Sequence, residues 1–352
     1  MGQQIGEYFL MSPLQNQNAG FSRWAFATKN GDKSKKYFLK EFLDPVYPDD
    51  KSLSEALRNR RIADCRMYED EKKKLYDAIN KANTGNIVSV IDYFRFDSHY
   101  YIVTDQINQV ITDMARIQTY PLETRVLLCL TAAESIRSLH ENHIIHADIK
   151  ADNMMIHLTS ARTLVAKLID FDCSFFENNP PEDEDDLGGD QVYFSPEACL
   201  FVCGEDVKLS SKMDVFSLGL LFHQYLTGEL PAFSDEYDYV HEALLDESEI
   251  VLNSSLSVPL KGLIARMLEL DPEKRIDSNE VYRMIRKIYY DLIGYVEEER
   301  VPTSVTVPAS AKLMSAPAPA SASAASVSAA KSSTSSKLKM GTTDWFHQAG
   351  DL

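Results

Sequence analysis

The sequence predicts a two-lobed α+β fold, with a small β-rich N-terminal lobe that contains one long helix and a larger helical C-terminal lobe. Apolar runs bounded by polar turns, the pattern of strands, predominate before about residue 107. From about Leu122 onward, apolar residues recur at helical spacing instead. The chain has 352 residues, of which 44% are apolar, enough to form a large core. We therefore expect an N-terminal lobe over residues 1–107 and a C-terminal lobe over residues 108–300.

Four strands are predicted in the N-terminal lobe. Trp24–Ala27 and Tyr37–Phe42 are apolar or aromatic runs on either side of the polar segment Asn30–Lys36, which is typical of a hairpin. Two more runs of the same kind, Ile87–Phe94 and Tyr100–Thr104, end the lobe. These four segments predict a small β-rich lobe.

A charged segment between the two pairs of strands, Ser54–Ala82, has the pattern of a long helix. Tyr68, Leu75 and Ile79 mark its apolar face. Helical spacing then dominates the C-terminal lobe, where helices are predicted over Leu122–Glu141, Asp214–Thr227, Pro259–Leu268 and Ser278–Tyr295.

Charge and composition exclude several functional classes. The chain has 36 basic and 53 acidic residues and a net charge of −17. Because nucleic acids and anionic membranes attract basic surfaces, we expect neither as a partner. No apolar run approaches the roughly 20 residues of a membrane span. The five cysteines form no CxxC pair, so we expect reduced thiols and a cytoplasmic protein.

The composition changes near residue 300. Residues 301–340 consist mostly of Ser, Ala, Pro, Val, Thr and Lys, and we expect a disordered linker because such a segment cannot bury enough apolar surface to fold. Residues 341–352 carry Trp345 and Phe346 side by side. This pair predicts a short peptide that docks on a partner, with a loosely packed terminus as the alternative.

Two segments are the most informative about chemistry. His146–Asn153 reads His-Ala-Asp-Ile-Lys-Ala-Asp-Asn, and Asp170–Asp172 reads Asp-Phe-Asp. They resemble the catalytic loop (HRDxKxxN) and the metal-binding motif (DFG) of eukaryotic-type serine/threonine protein kinases. Four further segments resemble that family's motifs in the family's order: Tyr37–Lys40 (VAIK), Ser195–Glu197 (APE), Asp214–Gly219 (DxWxxG) and Asp271–Arg275 (DPxxR).

The resemblance covers about residues 8–295 and implies a protein-kinase-like fold. It also implies that the protein transfers the γ-phosphate of ATP to a protein hydroxyl in the presence of Mg²⁺. In the family, a lysine at the position of Lys150 accompanies specificity for serine or threonine. Asp148 would orient the hydroxyl and accept its proton, while Lys150 would neutralise the γ-phosphate. Asn153 and Asp170 would hold Mg²⁺, a cation that prefers oxygen ligands. The short inserts suggest a bacterial member.

The nucleotide site follows from the same resemblance. Lys40 would hold the α- and β-phosphates and would be oriented by Glu71 of the long helix, with Glu69 as the alternative partner. The resemblance also implies nucleotide contacts from two further segments. The glycine-loop region would contribute Ala19, Gly20 and Phe21, and the hinge would contribute the gatekeeper Thr104 together with Asp105 and Ile107.

The sequence departs from the family's motifs at four places. Gln17, Ala19 and Ser22 stand where the phosphate loop has glycines. Ala147 replaces the arginine of HRD, and Phe175–Val192 contains no Ser, Thr or Tyr that could be phosphorylated. Asp172 replaces the glycine of DFG, where it could restrict the motif or add a carboxylate near Mg²⁺. Asp190 replaces a threonine and could accept a hydrogen bond from Lys150.

Three functions are therefore compared. An active serine/threonine protein kinase is the leading hypothesis, because Lys40, Glu71, Asp148, Lys150, Asn153 and Asp170 are all present. The degraded glycine loop and Asp190 favour a non-catalytic kinase-fold scaffold. A small-molecule kinase shares the Asp–x4–Asn spacing but lacks the APE and DPxxR features. For the first hypothesis we expect a protein substrate. The acidic run Glu182–Asp186 would attract basic segments of that substrate, but a solvated, mobile charged loop is the favoured interpretation of the run.

Overall fold

A computed structural model describes residues 3–16, 22–48, 54–107, 111 and 113–295. The predicted glycine-loop contacts Ala19, Gly20 and Phe21 lie outside the described residues, as do the predicted linker 301–340 and docking peptide 341–352. The described residues form ten strands: β1 Gln4–Ile5, β2 Tyr8–Leu10, β3 Ser22–Lys29, β4 Asp32–Phe42, β5 Val90–Phe96, β6 His99–Asp105, β7 Ile144–Ile145, β8 Met154–Leu158, β9 Leu164–Leu168 and β10 Phe175–Phe176.

The N-terminal lobe is built on an antiparallel sheet of six strands in the order β1-β2-β3-β4-β6-β5. Strands β3 and β4 form the predicted hairpin through a turn at Asn30 and Gly31, both of which have positive φ. The hairpin of β1 and β2 was not predicted from the sequence. Its residues Ile5, Tyr8 and Leu10 are buried and cover one face of the sheet.

Side chains of the central strands alternate between two faces, as the pleat of a sheet requires. Ala25 and Leu39 pair across β3 and β4 and are fully buried against the β1–β2 side. Trp24, which pairs with Lys40, and Phe38 lie on the opposite face. Lys40 reaches the C-terminal lobe from that face, so the sheet presents one ammonium to the cleft beside aromatic rings.

Eight helices occur among the described residues: α1 Glu55–Ala82, α2 Met114–Gln118, α3 Leu122–Glu141, α4 Pro196–Val202, α5 Lys212–Thr227, α6 Val240–Leu245, α7 Val258–Met267 and α8 Ser278–Ile293. Helix α5 is the centre of the C-terminal lobe, since most of its side chains are buried. It packs against α3 and α7, and α3 packs against α8. No helix in the described part of the chain is long and apolar enough to cross a membrane.

Helix α1 begins where Ser54 caps it by accepting a hydrogen bond from the Leu57 N–H at 3.4 Å. It ends at Asn83, whose side chain donates to the Ile87 carbonyl at 2.8 Å and so leads the chain towards β5. Its buried face includes Leu75 and Ile79, as predicted. This face fixes which α1 side chains look towards the cleft.

A hairpin of β8 and β9 in the C-terminal lobe was also not predicted. Met154 pairs with Leu168, and the Ile169 N–H donates to the Asn153 carbonyl at 2.9 Å. Asn153 and Asp170 therefore leave the same end of this hairpin, which brings the two predicted metal ligands together. The predicted two-lobed α+β fold is confirmed, with the sheet and α1 in the first lobe and α2 to α8 in the second.

Candidate active site

Asp214 fixes the backbone of the predicted catalytic loop. Its carboxylate oxygens accept hydrogen bonds from the N–H groups of His146 at 2.8 Å and Ala147 at 2.9 Å. The His140 ring nitrogen Nε2 lies 2.9 Å from the same carboxylate. Burial alone would raise the pKa of Asp214, but these contacts hold it below its usual value. A buried anion at the start of α5 thus sets the direction in which Asp148 leaves the loop.

The loop is strained where it turns into the site. Ala147 has a φ of +65° and Asp170 a φ of +60°, a region that non-glycine residues seldom adopt. The His146 ring joins the two places: its Nδ1 accepts the Asp148 N–H at 3.2 Å and its Nε2 lies 3.1 Å from the Ile169 carbonyl. The neutral ring therefore carries its proton on Nε2 and donates it to that carbonyl.

Asp148 lies between an amide and an ammonium. Asn153 Nδ2 donates to Asp148 Oδ2 at 2.7 Å and to the Asp148 carbonyl at 2.8 Å. Lys150 Nζ lies 3.0 Å from Asp148 Oδ1 and 3.7 Å from an oxygen of Asp190. Burial alone would lower the pKa of Lys150, but the carboxylates of Asp148 and Asp190 outweigh it and raise the pKa. At 3.7 Å the Lys150–Asp190 contact is an ion pair and not the predicted hydrogen bond, and Asp148 contributes more than Asp190 to keeping Lys150 charged.

Asp148 Oδ1 is buried and receives no well-aligned hydrogen bond from the described residues. A small cavity beside it is lined by Asp190, Tyr193 and Ser195. Asp148 itself lines this cavity, and an accepting oxygen without an aligned donor can take a hydrogen bond from an incoming hydroxyl.

Lys40 forms its ion pairs with the Asp-Phe-Asp segment. Its Nζ lies 2.9 Å from both carboxylate oxygens of Asp170 and 2.6 Å from Asp172 Oδ2. Burial alone would lower the pKa of Lys40, but the two carboxylates raise it well above its usual value. Burial likewise would raise the pKa of Asp170, and Lys40 lowers it. The pKa of Asp172 is raised by burial and by the neighbouring Asp170.

The expected partner Glu71 is placed differently. Its side chain is exposed on α1, and among the described residues the carboxylates within ion-pair distance of Lys40 are those of Asp170 and Asp172. The alternative Glu69 pairs with Lys73 at 2.5 Å. The structure therefore does not join Lys40 to either glutamate of α1, because Glu71 is exposed and the half-buried Glu69 pairs with Lys73 instead.

The predicted hinge residues lie at the end of β6. Thr104 pairs with Phe38 of β4, and Asp105 forms an exposed ion pair with Lys35 at 2.7 Å. Ile107 is partly buried and packs against the main hydrophobic core, which includes residues of both lobes. Thr104 therefore lies beside Phe38 in the sheet, and Asp105 and Ile107 follow it where the chain leaves β6.

The cleft face of the sheet is aromatic. The Trp24 and Phe38 ring centroids are 5.5 Å apart, and Phe26 lies 5.6 Å from Trp24 and 6.2 Å from Phe38. Phe38, which was not among the predicted nucleotide contacts, stands where the VAIK pattern has alanine. The cleft face of the sheet is consequently aromatic at this position rather than small and aliphatic.

The donor set fits magnesium and a nucleotide triphosphate. Asn153 uses its amide nitrogen for Asp148, which leaves the amide oxygen available, and Asp170 supplies two carboxylate oxygens. Oxygen ligands of this kind, few in number, are what Mg²⁺ takes when phosphates supply the rest. Lys40 is a charged donor beside them. Asn153, Asp170 and Lys40 are therefore the residues that would hold metal and phosphates.

The segment from Gly189 to Glu197 folds back onto the predicted catalytic loop, His146–Asn153. Gly189 has a φ of +130°, and a Cβ there would lie 2.7 Å from the Ala147 carbonyl oxygen. Ser195 caps α4 by accepting the Ala198 N–H at 3.2 Å, and Glu197 pairs with Arg275. The approach of Gly189 to the Ala147 carbonyl places this segment directly against the catalytic loop.

Comparison with known proteins agrees with this geometry. Residues 63–285 match the protein kinase domain, and the chain belongs to that family. This confirms the predicted relationship to eukaryotic-type kinases.

The chain is also similar to individual kinases. It is 27% identical over 198 residues to "Aurora kinase" of Dictyostelium discoideum, covering 56% of this chain and 48% of that protein. It is 26% identical over 225 residues to "Serine/threonine-protein kinase ULK3" of Mus musculus, covering 58% and 46%. "Serine/threonine-protein kinase PSK2" of Saccharomyces cerevisiae is 27% identical over 209 residues, covering 58% and 18%. The chain thus spans about half or less of the length of these relatives.

Proposed function

We propose that the chain is an ATP-dependent serine/threonine protein kinase, which transfers the γ-phosphate of ATP to a protein hydroxyl with Mg²⁺. The single observation that carries this proposal is the setting of Asp148. One of its oxygens is held by the Asn153 amide at 2.7 Å, and the other, buried and without an aligned donor, lies 3.0 Å from Lys150. A carboxylate oriented in this way can position a hydroxyl for in-line attack.

In this proposal the hydroxyl oxygen of the substrate bonds to the γ-phosphorus while the bond to the leaving oxygen of ADP breaks. Asp148 accepts the hydroxyl proton, and Lys150 balances the negative charge of the transferred group. Asn153 and Asp170 would hold Mg²⁺, which neutralises phosphate charge when it is bound. Lys40 would hold the α- and β-phosphates. The aromatic face of Trp24 and Phe38 would lie against the base.

Other functions have less support. A non-catalytic scaffold needs none of the charged residues of the cleft, yet Lys40, Asp148, Lys150, Asn153 and Asp170 are present and in contact with one another or with their neighbours. A small-molecule kinase does not need the Glu197–Arg275 pair, a protein-kinase trait, which is built here with two buried hydrogen bonds.

The deciding experiment is transfer of labelled phosphate from Mg·ATP to a generic basic protein and to the chain itself. Asp148→Asn is measured beside the parent, and both are first shown to be folded by their thermal unfolding. We expect transfer in the parent and its loss in the variant. Transfer that is absent from the folded parent, or equal in the two proteins, would refute the proposal.

We further propose that the protein substrate is basic around its acceptor. The acidic run Glu182–Asp186 is mostly exposed, and Asp152 adjoins the metal ligand Asn153. Within the run, burial and then the neighbouring carboxylates of Asp183 and Asp185 raise the pKa of Asp186, a sign of concentrated negative charge. Peptides with one serine flanked by either arginines or glutamates test this, and faster phosphorylation of the acidic peptide would contradict it.

The segment beyond residue 300 and the compartment complete the proposal. Residues 341–352, with Trp345 and Phe346, would dock a partner, so deletion of residues 301–352 is expected to leave intrinsic phosphate transfer intact and to weaken capture of that partner. Loss of ATP turnover by the folded shortened protein would refute this division of labour. The free thiols of all five cysteines support a cytoplasmic location.

A further inference from the structure

We propose that Asp172, the last residue of the Asp-Phe-Asp segment, replaces the glutamate of helix α1 as the anion that positions Lys40. The proposal rests on the proposed kinase function, because the position of Lys40 matters for turnover only there. Its first basis is direct contact. Lys40 Nζ lies 2.6 Å from Asp172 Oδ2, closer than its 2.9 Å contacts with Asp170.

The second basis is the face that α1 turns towards the cleft. Seven residues span almost two helical turns, so Cys65, Lys72 and Ile79 lie nearly in one line. Cys65 is 3% exposed and Ile79 is fully buried, which makes this line the buried face of the helix. Lys72 lies at its centre, whereas Glu71 is one position away and exposed. The helix therefore presents an ammonium where the kinase pattern expects a carboxylate.

Lys72 has a role of its own that leaves the Asp172 carboxylate free. Its Nζ donates to the main-chain carbonyl of Asp172 at 2.8 Å and lies 6.0 Å from the Tyr68 ring centroid. Burial lowers the pKa of Lys72 against the attraction of Asp172. Because Lys72 takes the carbonyl oxygen, the Asp172 side chain turns to Lys40. Asp172 thus contacts both α1 and β4. Its main-chain carbonyl accepts a hydrogen bond from Lys72 of α1, and its carboxylate pairs with Lys40 of β4.

The rest of the segment holds Asp172 in this position. Phe171 is 2% exposed and packs edge-on against His146, with ring centroids 5.3 Å apart. The segment is thus anchored on one side by its apolar ring and on the other by two lysines. Two ammonium groups face two carboxylates, so the cluster is balanced without any glutamate from α1.

The arrangement also separates two tasks that a single aspartate would have to combine. Asp170 is the residue that would hold Mg²⁺, and its oxygens cannot serve the metal and Lys40 equally well. Asp172 supplies a second carboxylate that stays with Lys40. Lys40 is then kept extended towards the phosphates while Asp170 is used for the metal.

The activity test compares Asp172→Asn with Glu71→Gln in the full chain, each checked for folding by thermal unfolding. A charged hydrogen bond of this kind corresponds to about a tenfold to hundredfold effect, so we expect that decrease in kcat for Asp172→Asn. The KM for ATP and the Mg²⁺ concentration at half-maximal rate should change much less. Glu71→Gln should lose far less activity than Asp172→Asn.

Two results would overturn the proposal. A loss of about tenfold or more in the kcat of folded Glu71→Gln relative to the parent would return the positioning role to α1, and this measurement does not require Asp172→Asn to fold. A large rise in the Mg²⁺ requirement of Asp172→Asn, with kcat restored at high Mg²⁺, would make Asp172 a metal ligand.

A second readout does not depend on turnover. The rate at which a water-soluble acylating reagent modifies the Lys40 amine can be followed by peptide mass spectrometry in the nucleotide-free protein. An ammonium held by two carboxylates reacts slowly, so we expect faster labelling of Lys40 in Asp172→Asn and no change in Glu71→Gln. Unchanged labelling in folded Asp172→Asn would refute the pairing, whether or not the chain transfers phosphate.

Discussion

Arg275 and Glu197 form a buried, two-pronged ion pair, with guanidinium nitrogens 2.6 and 3.0 Å from the two carboxylate oxygens. Arg275 is 1% exposed and Glu197 is 4% exposed. The remaining guanidinium hydrogens go to main-chain carbonyls, which include those of Glu269 at 2.9 Å and Lys212 at 2.8 Å. The pair therefore ties the first turn of α4 to the start of α5 and to the turn before α8.

Removal of one member of this pair is expected to be strongly destabilising. Glu197→Gln leaves the Arg275 charge buried without its anion, a situation that costs about 3–5 kcal/mol in proteins. The free energy of unfolding, measured with urea, should fall by that amount. Lys274→Met is the matched control, because the neighbouring Lys274–Asp271 pair is exposed and such pairs contribute about 0–1 kcal/mol. Equal losses in the two variants would contradict the assignment.

The buried carboxylate of Asp214 predicts a pH dependence of stability. Its pKa is lower in the folded chain than in the unfolded chain, mainly because contacts from His140 outweigh burial. Its contribution is therefore complete above the unfolded value, about 3.9, and is lost as the pH falls through the lower folded value. We expect the stability advantage of the parent over Asp214→Asn to be constant at neutral pH and to shrink below about pH 4.

Urea unfolding of both proteins across pH 3 to 7 measures this difference. Asp70→Asn, an exposed change on α1, controls for the loss of one carboxylate. An advantage that grew as the pH fell would show that the carboxylate is not stabilised by its contacts.

The close approach of Gly189 to Ala147 predicts that a side chain at position 189 would disturb the catalytic loop. A Cβ at this position would lie 2.7 Å from the Ala147 carbonyl oxygen and 2.7 Å from a Phe194 ring carbon, and the φ of +130° adds strain. Because Ala147 precedes Asp148, relief of the clash should displace the catalytic carboxylate. We expect Gly189→Ala to lower kcat by about tenfold to a hundredfold, the scale of a misplacement near 1 Å.

The control for Gly189→Ala is Gly85→Ala. Gly85 has a similar φ of +112°, but a Cβ there meets nothing within 4 Å among the described residues. Both variants should lose some stability, and Gly189→Ala should lose far more activity in the phosphate-transfer assay. A parallel loss of activity in both would assign the effect to backbone strain alone.

Much of this architecture was predictable because it depends on local pattern. Helix α3 was predicted over its observed span, Leu122–Glu141, from apolar spacing, and α1 from a long charged segment with one apolar face. The strands β3 and β4 followed from aromatic runs around a polar turn. The β8–β9 hairpin was missed because Met154–Leu158 and Leu164–Leu168 are short runs that lie between motifs.

The charged cluster of the cleft was harder to predict, because motif spacing places a residue in the chain but not on a face. Glu71 has the residue type that the kinase pattern requires, yet Lys72 lies on the buried line through Cys65 and Ile79. The sequence does contain this information, because Cys65, Lys72 and Ile79 are spaced seven residues apart and therefore lie on one face of a helix. The contact of Asp172 with Lys40 depends on how the two lobes meet, and no local pattern carries that information.

The aromatic face of the sheet predicts how a nucleotide base is bound. Trp24 and Phe38 lie 5.5 Å apart on the same face as Lys40, the residue that would hold the phosphates. A planar base that stacks on these rings should quench Trp24 fluorescence. The chain has two tryptophans, so Trp345→Phe leaves Trp24 as the only reporter. We expect ATP and ADP to quench it with saturation, and the titration gives the Kd.

Substitutions of Phe38 distinguish a ring that stacks on the base from a ring that obstructs its site. An aromatic contact of this kind contributes about 0.5–1.5 kcal/mol, so Phe38→Ala should weaken nucleotide binding by roughly two- to tenfold. Phe38→Leu keeps most of the volume but not the ring face, and should also weaken binding. Tighter binding by Phe38→Ala would instead show that Phe38 occupies space that the base needs. Calorimetry with ADP, which does not depend on fluorescence, distinguishes weak binding from binding that Trp24 does not sense.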